Sequence, residues 1–166
     1  MKLRKYLIAL SVLIVIGGLY LKSQEKQAMT SIYNGEFLTI KFPHGWNCYT
    51  NSEITQDTIL LASSVNSQKV TCVKMPARIP VGSSENAASL FKEVLLSDNI
   101  INESSKEIID GYKSYTIKCL SPTNTYKKYY VIYIPKSSIT FYFVNEYLSC
   151  KEESLGDAII NSICFK

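Results

Sequence analysis

Histidine and tryptophan are nearly missing from this 166-residue chain, which holds one of each, His44 and Trp46. Any histidine-dependent chemistry must therefore run through one imidazole, and a zinc site has few ligands to draw on. The five cysteines form no Cys-x-x-Cys pair, and no Gly-x-Ser-x-Gly, Walker-loop, His-Glu-x-x-His or calcium-loop pattern occurs. Glycine and proline are sparse and nothing repeats, which excludes a fibrous or disordered chain. Acidic residues are missing from residues 1–22, which carry Lys2, Arg4, Lys5 and Lys22. Removing these four from the 18 basic residues leaves 14 to set against 14 acidic ones. The body is electrically balanced and lacks the basic excess that a nucleic-acid-binding domain needs.

The positive start and the uncharged stretch from Tyr6 to Leu21 form an export pattern. The stretch is slightly short for a spanning helix, and Ile16-Gly17-Gly18 is only a weak cleavage candidate. No cysteine precedes Cys48, so a lipobox is excluded. The expectation is an uncleaved signal anchor, with a cleaved signal peptide as the alternative and a buried helix of a cytosolic protein as the bland one. Positive charge keeps the N-terminus inside and places the body outside. Residues 1–22 are read as the signal segment, 23–32 as a polar tether and 33–166 as one domain.

The stretch from Phe37 to Trp46 reads as a strand that stops at Pro43, turns at Gly45 and returns one tryptophan as an anchor. Short strands are expected at 58–62 and 69–75, and then a helix from Ser83 or Ser84. Its stripe comprises Ala87, Leu90, Phe91, Val94 and Leu95. An exposed strand over 100–109 turns at Asp110-Gly111 into 112–120. Strands 126–134 and 139–145 are apolar on both faces and need cover on both. A last helix opens at Ser149, with Glu152 completing a capping box and Leu155, Ala158, Ile159 and Ile163 facing inward. The pattern predicts an α+β fold, a single antiparallel β-sheet covered by helices on both faces, preceded by an N-terminal apolar helix.

In an oxidising compartment some cysteines should pair. Cys48 with Cys72 is the preferred bridge because each sits in or beside an early strand, and buried unpaired thiols are the alternative. Cys150 and Cys164 bracket the last helix, roughly 20 Å apart, too far to bridge. His44 reads as a solvent-facing turn residue; a nucleophilic Cys48–His44 pair is the sharper but weaker reading. The run Tyr126-Lys127-Lys128-Tyr129-Tyr130 offers a candidate interaction surface through Tyr126, Lys127, Lys128 and Tyr130. Its plain reading is a strand with two solvated lysines at its mouth. No cofactor, metal ligand set or catalytic group is expected.

The entry Phe42-Pro43-His44-Gly45-Trp46 and the closing Ile159-Ile160-Asn161-Ser162-Ile163-Cys164-Phe165 resemble the PsbP/Mog1/DcrB-like group over residues 33–166. That resemblance implies a sheet sandwiched by helices. Its members are photosystem accessory subunits, a Ran-binding protein, bacterial envelope proteins and secretion-effector chaperones, with no shared enzymatic mechanism. The function expected is a non-enzymatic envelope or secreted binding protein, inner-membrane anchored through residues 6–21 or periplasmic, that engages another envelope protein and no nucleic acid. The alternatives are a module for a small apolar ligand, a secretion-effector chaperone and, behind these, a Cys/His hydrolase.

Overall fold

The computed structural model describes residues 29–50, 57–75, 81–93, 95 and 98–166. The apolar segment 6–21, the rest of the leader and tether up to residue 28, and the loop 76–80 lie outside the described residues.

The elements run β1 (Met29–Asn34), β2 (Leu38–Pro43), β3 (Asn47–Thr50), β4 (Thr58–Ser63), β5 (Lys69–Met75), α1 (Ser84–Lys92) and β6 (Asn99–Ile109). They continue as β7 (Tyr112–Leu120), β8 (Tyr126–Ile134), β9 (Ile139–Tyr147), α2 (Cys150–Ile160) and β10 (Cys164–Phe165). The single sheet expected from the sequence is wrong. The strands form two antiparallel sheets, one of three strands ordered β1-β2-β10 and one of seven ordered β3-β4-β5-β9-β8-β7-β6. The fold is mostly β, and β2 does not join the large sheet. It is held between β1 and the short β10, and together they lie as a second layer. Strand β1 also reaches back into the stretch read as tether.

The large sheet consists of two meanders, β3-β4-β5 and β6-β7-β8-β9, which meet where β5 pairs β9 from Lys69↔Glu146 to Met75↔Thr140. Alternation along its strands decides which layer each side chain meets. Tyr130, Ile132, Phe141 and Phe143 face Leu38, Ile40 and Phe42 of β2 and Ile159 and Ile160 of α2. Tyr129, Val131 and Tyr142 face the other way, onto Ala87 and Ala88 of α1. Phe91 wedges between Tyr129 and Tyr142, with ring centroids 5.2 and 4.6 Å away.

The helix stripes are shifted from those expected. In α1 Ala88 is buried and Leu90 points outward, because the two alanines set the close approach to the sheet; Val94 lies outside the described residues. In α2 Ala158 is exposed, and the inward face is Gly156, Ile159 and Ile160. The Asp110-Gly111 turn has positive φ at both residues, 48° and 80°, the geometry whose twist matches a two-residue hairpin. Edge strand β6 exposes Ile100, Ile101 and Ile108, and register shifts at 100/102 and 104/107 interrupt it as a template for another strand.

Candidate functional site

Pro43 ends β2, Gly45 takes φ 84°, and the turn carries the chain from the small sheet into the large one. Trp46 stacks on Phe42 at 5.6 Å and is 8% exposed. Three other connections gather at the same end of the sheets: the β4–β5 hairpin at 64–67, the β7–β8 turn at Thr125 and the β9–α2 junction at Leu148-Ser149. Two adjoining cavities open among them. One, about 270 Å³, is bounded by His44, Trp46, Val65, Lys151 and Leu155. The other, about 420 Å³, is bounded by Ser67, Lys69, Thr125, Glu146, Tyr147 and Leu148. Ser64, Gln68 and Glu152 line both.

The wall shared by the two cavities is polar and internally bonded. Gln68 is buried and donates from Nε2 to Asn145 Oδ1 (3.0 Å) and to the Glu152 carbonyl. Asn145, wholly buried, reaches α2 through Nδ2, 3.5 Å from the Glu153 carbonyl. Glu152 closes the capping box, its carboxylate accepting from the Leu148 and Ser149 amides. The buried Ser64 Oγ has no hydrogen-bond partner. The rim carries two exposed aliphatic side chains, Val65 (87%) and Leu148 (63%).

The residues singled out in the sequence do not form one site. Cys48 and Cys72 are both free, and β4 lies between their strands, since Cys48 is opposite Ala62 and Cys72 opposite Leu60. Two strand spacings are roughly 9–10 Å, beyond the roughly 7 Å a disulfide spans. The expected bridge is not formed. Burial pushes the Cys48 thiol up, opposite to the shift that activates a nucleophile, which weakens the Cys48–His44 reading. Among the described residues no three His, Cys, Asp or Glu side chains gather to hold a metal.

The run from Tyr126 to Tyr130 splits between the sheet's two faces. On one, Lys127 pairs with Asp98 at 3.2 Å, and Tyr129 donates to the same carboxylate. On the other, Lys128 is held by Glu107 (3.1 Å) and Asp157 (3.0 Å), and the Tyr130 hydroxyl donates to Asp157. Tyr126 stacks on Tyr147 at 5.6 Å, with the Lys118 ammonium near both rings and bonded to Glu153 at 2.8 Å. Burial alone would lower the Lys128 pKa, but Asp157 and Glu107 hold it above its ordinary value. The run is an internal ion-pair seam that ties α2 to the sheet rather than an open basic surface. Sequence spacing could not show this, because the partners come from Asp98 ahead of β6, from β6 itself and from α2. Asp157→Asn keeps the shape but weakens what Tyr130 and Lys128 bond to, so an expected loss of about 1–2 kcal/mol should appear as a lower urea midpoint.

By sequence, no protein-family profile and no curated protein matches the chain. By structure it is similar to the solution structure of a cyanobacterial PsbP, CyanoP from Synechocystis, at 13% identity and a TM-score of 0.60. That match covers 82% of this chain and 92% of that one. A crystal structure from Bacteroides thetaiotaomicron aligns at 14% identity and a TM-score of 0.49, over 84% of this chain and 49% of the other. The chain has a PsbP-like fold.

Proposed function

We propose that this protein is a non-enzymatic accessory protein of the cell envelope, held at a membrane by residues 6–21 with its PsbP-like domain on the outer side, where it engages another protein. The observation that carries the reading is the distribution of charge. The basic excess lies wholly in the leader, before an uncharged stretch, and the body is balanced. Within the body, Lys92, Lys118, Lys127 and Lys128 are each paired with a carboxylate, which leaves these lysines committed to internal partners rather than to an anionic polymer. The polar wall between the cavities and their openness at the surface favour a protein contact over an enclosed apolar ligand.

Membrane fractionation of the native host with protease added from outside tests this directly. The expected result is a membrane-bound chain of full-length mass whose domain is digested without breaking the membrane. In-cell crosslinking followed by mass spectrometry should then recover one recurrent envelope protein. A soluble cytoplasmic chain with its leader intact would overturn the reading.

A further inference from the structure

The position of Met29 constrains how an anchored domain sits. Strand β1 begins with Met29 opposite Pro43, beside the His44–Trp46 turn, and runs away from it. The last residues lie at the other end, where the Lys166 amide donates to the Phe37 carbonyl. The chain therefore enters the described fold at the pole that holds the two cavities. Seven residues, Lys22 to Ala28, separate Met29 from the apolar segment. Fully extended they reach at most about 25 Å. If residues 6–21 occupy a bilayer, this is the pole held nearest to its surface.

The pole has the chemistry for that contact. Val65 stands at the tip of the β4–β5 hairpin and Leu148 on the β9–α2 junction, both aliphatic and both turned to solvent. Aliphatic groups on convex turns do not fill a cleft, but they fit the boundary between headgroups and acyl chains. Lys69 and Lys151 are exposed beside them and can reach lipid phosphates on their flexible stems. Of the acids of the pole, Glu152 is engaged by two amides at the helix cap, and Glu146 stands opposite Lys69 and Lys127 in the strand register. We infer that the pole carrying Val65 and Leu148 docks on the lipid surface of the membrane that anchors the chain, with the two side chains at the acyl boundary and Lys69 and Lys151 at phosphates. The inference rests on the anchored reading proposed above. It turns the opposite pole, with the 110–111 and 135–138 turns, toward the envelope space.

Trp46 is the only tryptophan in the chain, and it lines the same cavity as Val65, so it reports on this pole. The full chain is reconstituted into vesicles of phosphatidylcholine and phosphatidylglycerol, with nitroxide on a fraction of the phosphatidylcholine headgroups. Flotation shows whether the chain is anchored, and Trp46 emission shows whether the pole is at the surface. The expected result is co-flotation with Trp46 emission reduced by roughly a third or more, since docked groups lie within about 10 Å of the headgroup boundary. Val65→Asp combined with Leu148→Asp should restore most of that emission while the chain still floats. Ser137→Asp at the opposite pole should change nothing. Both aspartates replace exposed side chains, and near-ultraviolet circular dichroism checks that the fold is kept. Co-flotation with unquenched Trp46 would overturn the docking alone and leave the pole to a protein. Failure to float would remove the anchor and the docking with it.

Discussion

Gly156→Ala is expected to destabilise the domain by roughly 2–4 kcal/mol, although alanine is the better helix former by about 1 kcal/mol. Gly156 lies inside α2 and faces the sheet. A Cβ there would fall far inside the contact distance of the Asn145 amide. Asn145 has nowhere to go, since it is wholly buried and holds Gln68 through its Oδ1. The helix must lift, or the amide must swing and leave buried polar groups unpaired. Either consequence outweighs the propensity gain. Urea unfolding should show a much lower midpoint with an unchanged slope. Adding Asn145→Ala should cost less than the sum of the two single changes, because the clash is gone. A midpoint equal to or above that of the parent protein would sink the account.

Alkali should unfold the protein steeply. Burial pushes the thiol of Cys119 up to about 11 and the phenol of Tyr147 up to about 12. It pushes Cys72 and Tyr129 further in the same direction, and Tyr130 further still, with Asp157 adding to the last. Each folded pKa is above its unfolded value, near 9 for a thiol and 10 for a phenol. Below pH 9 these groups are protonated in both states and their stabilisation is fully present. As pH rises past 9 the unfolded chain releases protons that the folded one keeps, and stability falls by about 1.4 kcal/mol per pH unit for each such group. The wholly buried Cys72 and Tyr130 alone remove about 4 kcal/mol by pH 11, a large share of an ordinary domain's stability. Lys118, held above its ordinary value first by Glu153, adds to the same trend. Urea midpoints should be level to about pH 9 and then drop, with late tyrosinate absorbance rising together with unfolding. A midpoint that stays level to pH 11 would contradict the burial of these groups.

Much of the local structure was legible because local chemistry fixes it. The capping box at Ser149 and Glu152, the Asp110-Gly111 turn, the strand 69–75 and the stop at Pro43 each follow from residues a few positions apart. Which sheet a strand joins was not legible. Strand β2 alternates as any half-buried strand does, and nothing local says that its neighbours are Ser31 and Cys164 rather than the large sheet. Strands β1 and β3 were missed because they are short and mostly polar, held by pairing rather than by an apolar pattern. The disulfide expectation failed for a related reason: closeness in sequence order says nothing about a third strand in between. Gly156 did leave a signal, since a glycine inside a helical pattern calls for a packing reason. Its partner Asn145 could be found only in the fold.

The β5–β9 seam has a consequence for how the chain comes into being. A ribosome or a translocation pore delivers β5 well before β9, and everything from Met75 to Thr140 must emerge in between. Until then the first meander waits with one edge of β5 open and Val70 and Cys72 without Phe143, Ile159 and Ile160, which later complete their core. Closing so distant a pair is slow, and an open apolar edge invites pairing with other chains. The middle of the mature sheet is therefore the last place to be made, and the place where crowding of newly made copies would first do harm.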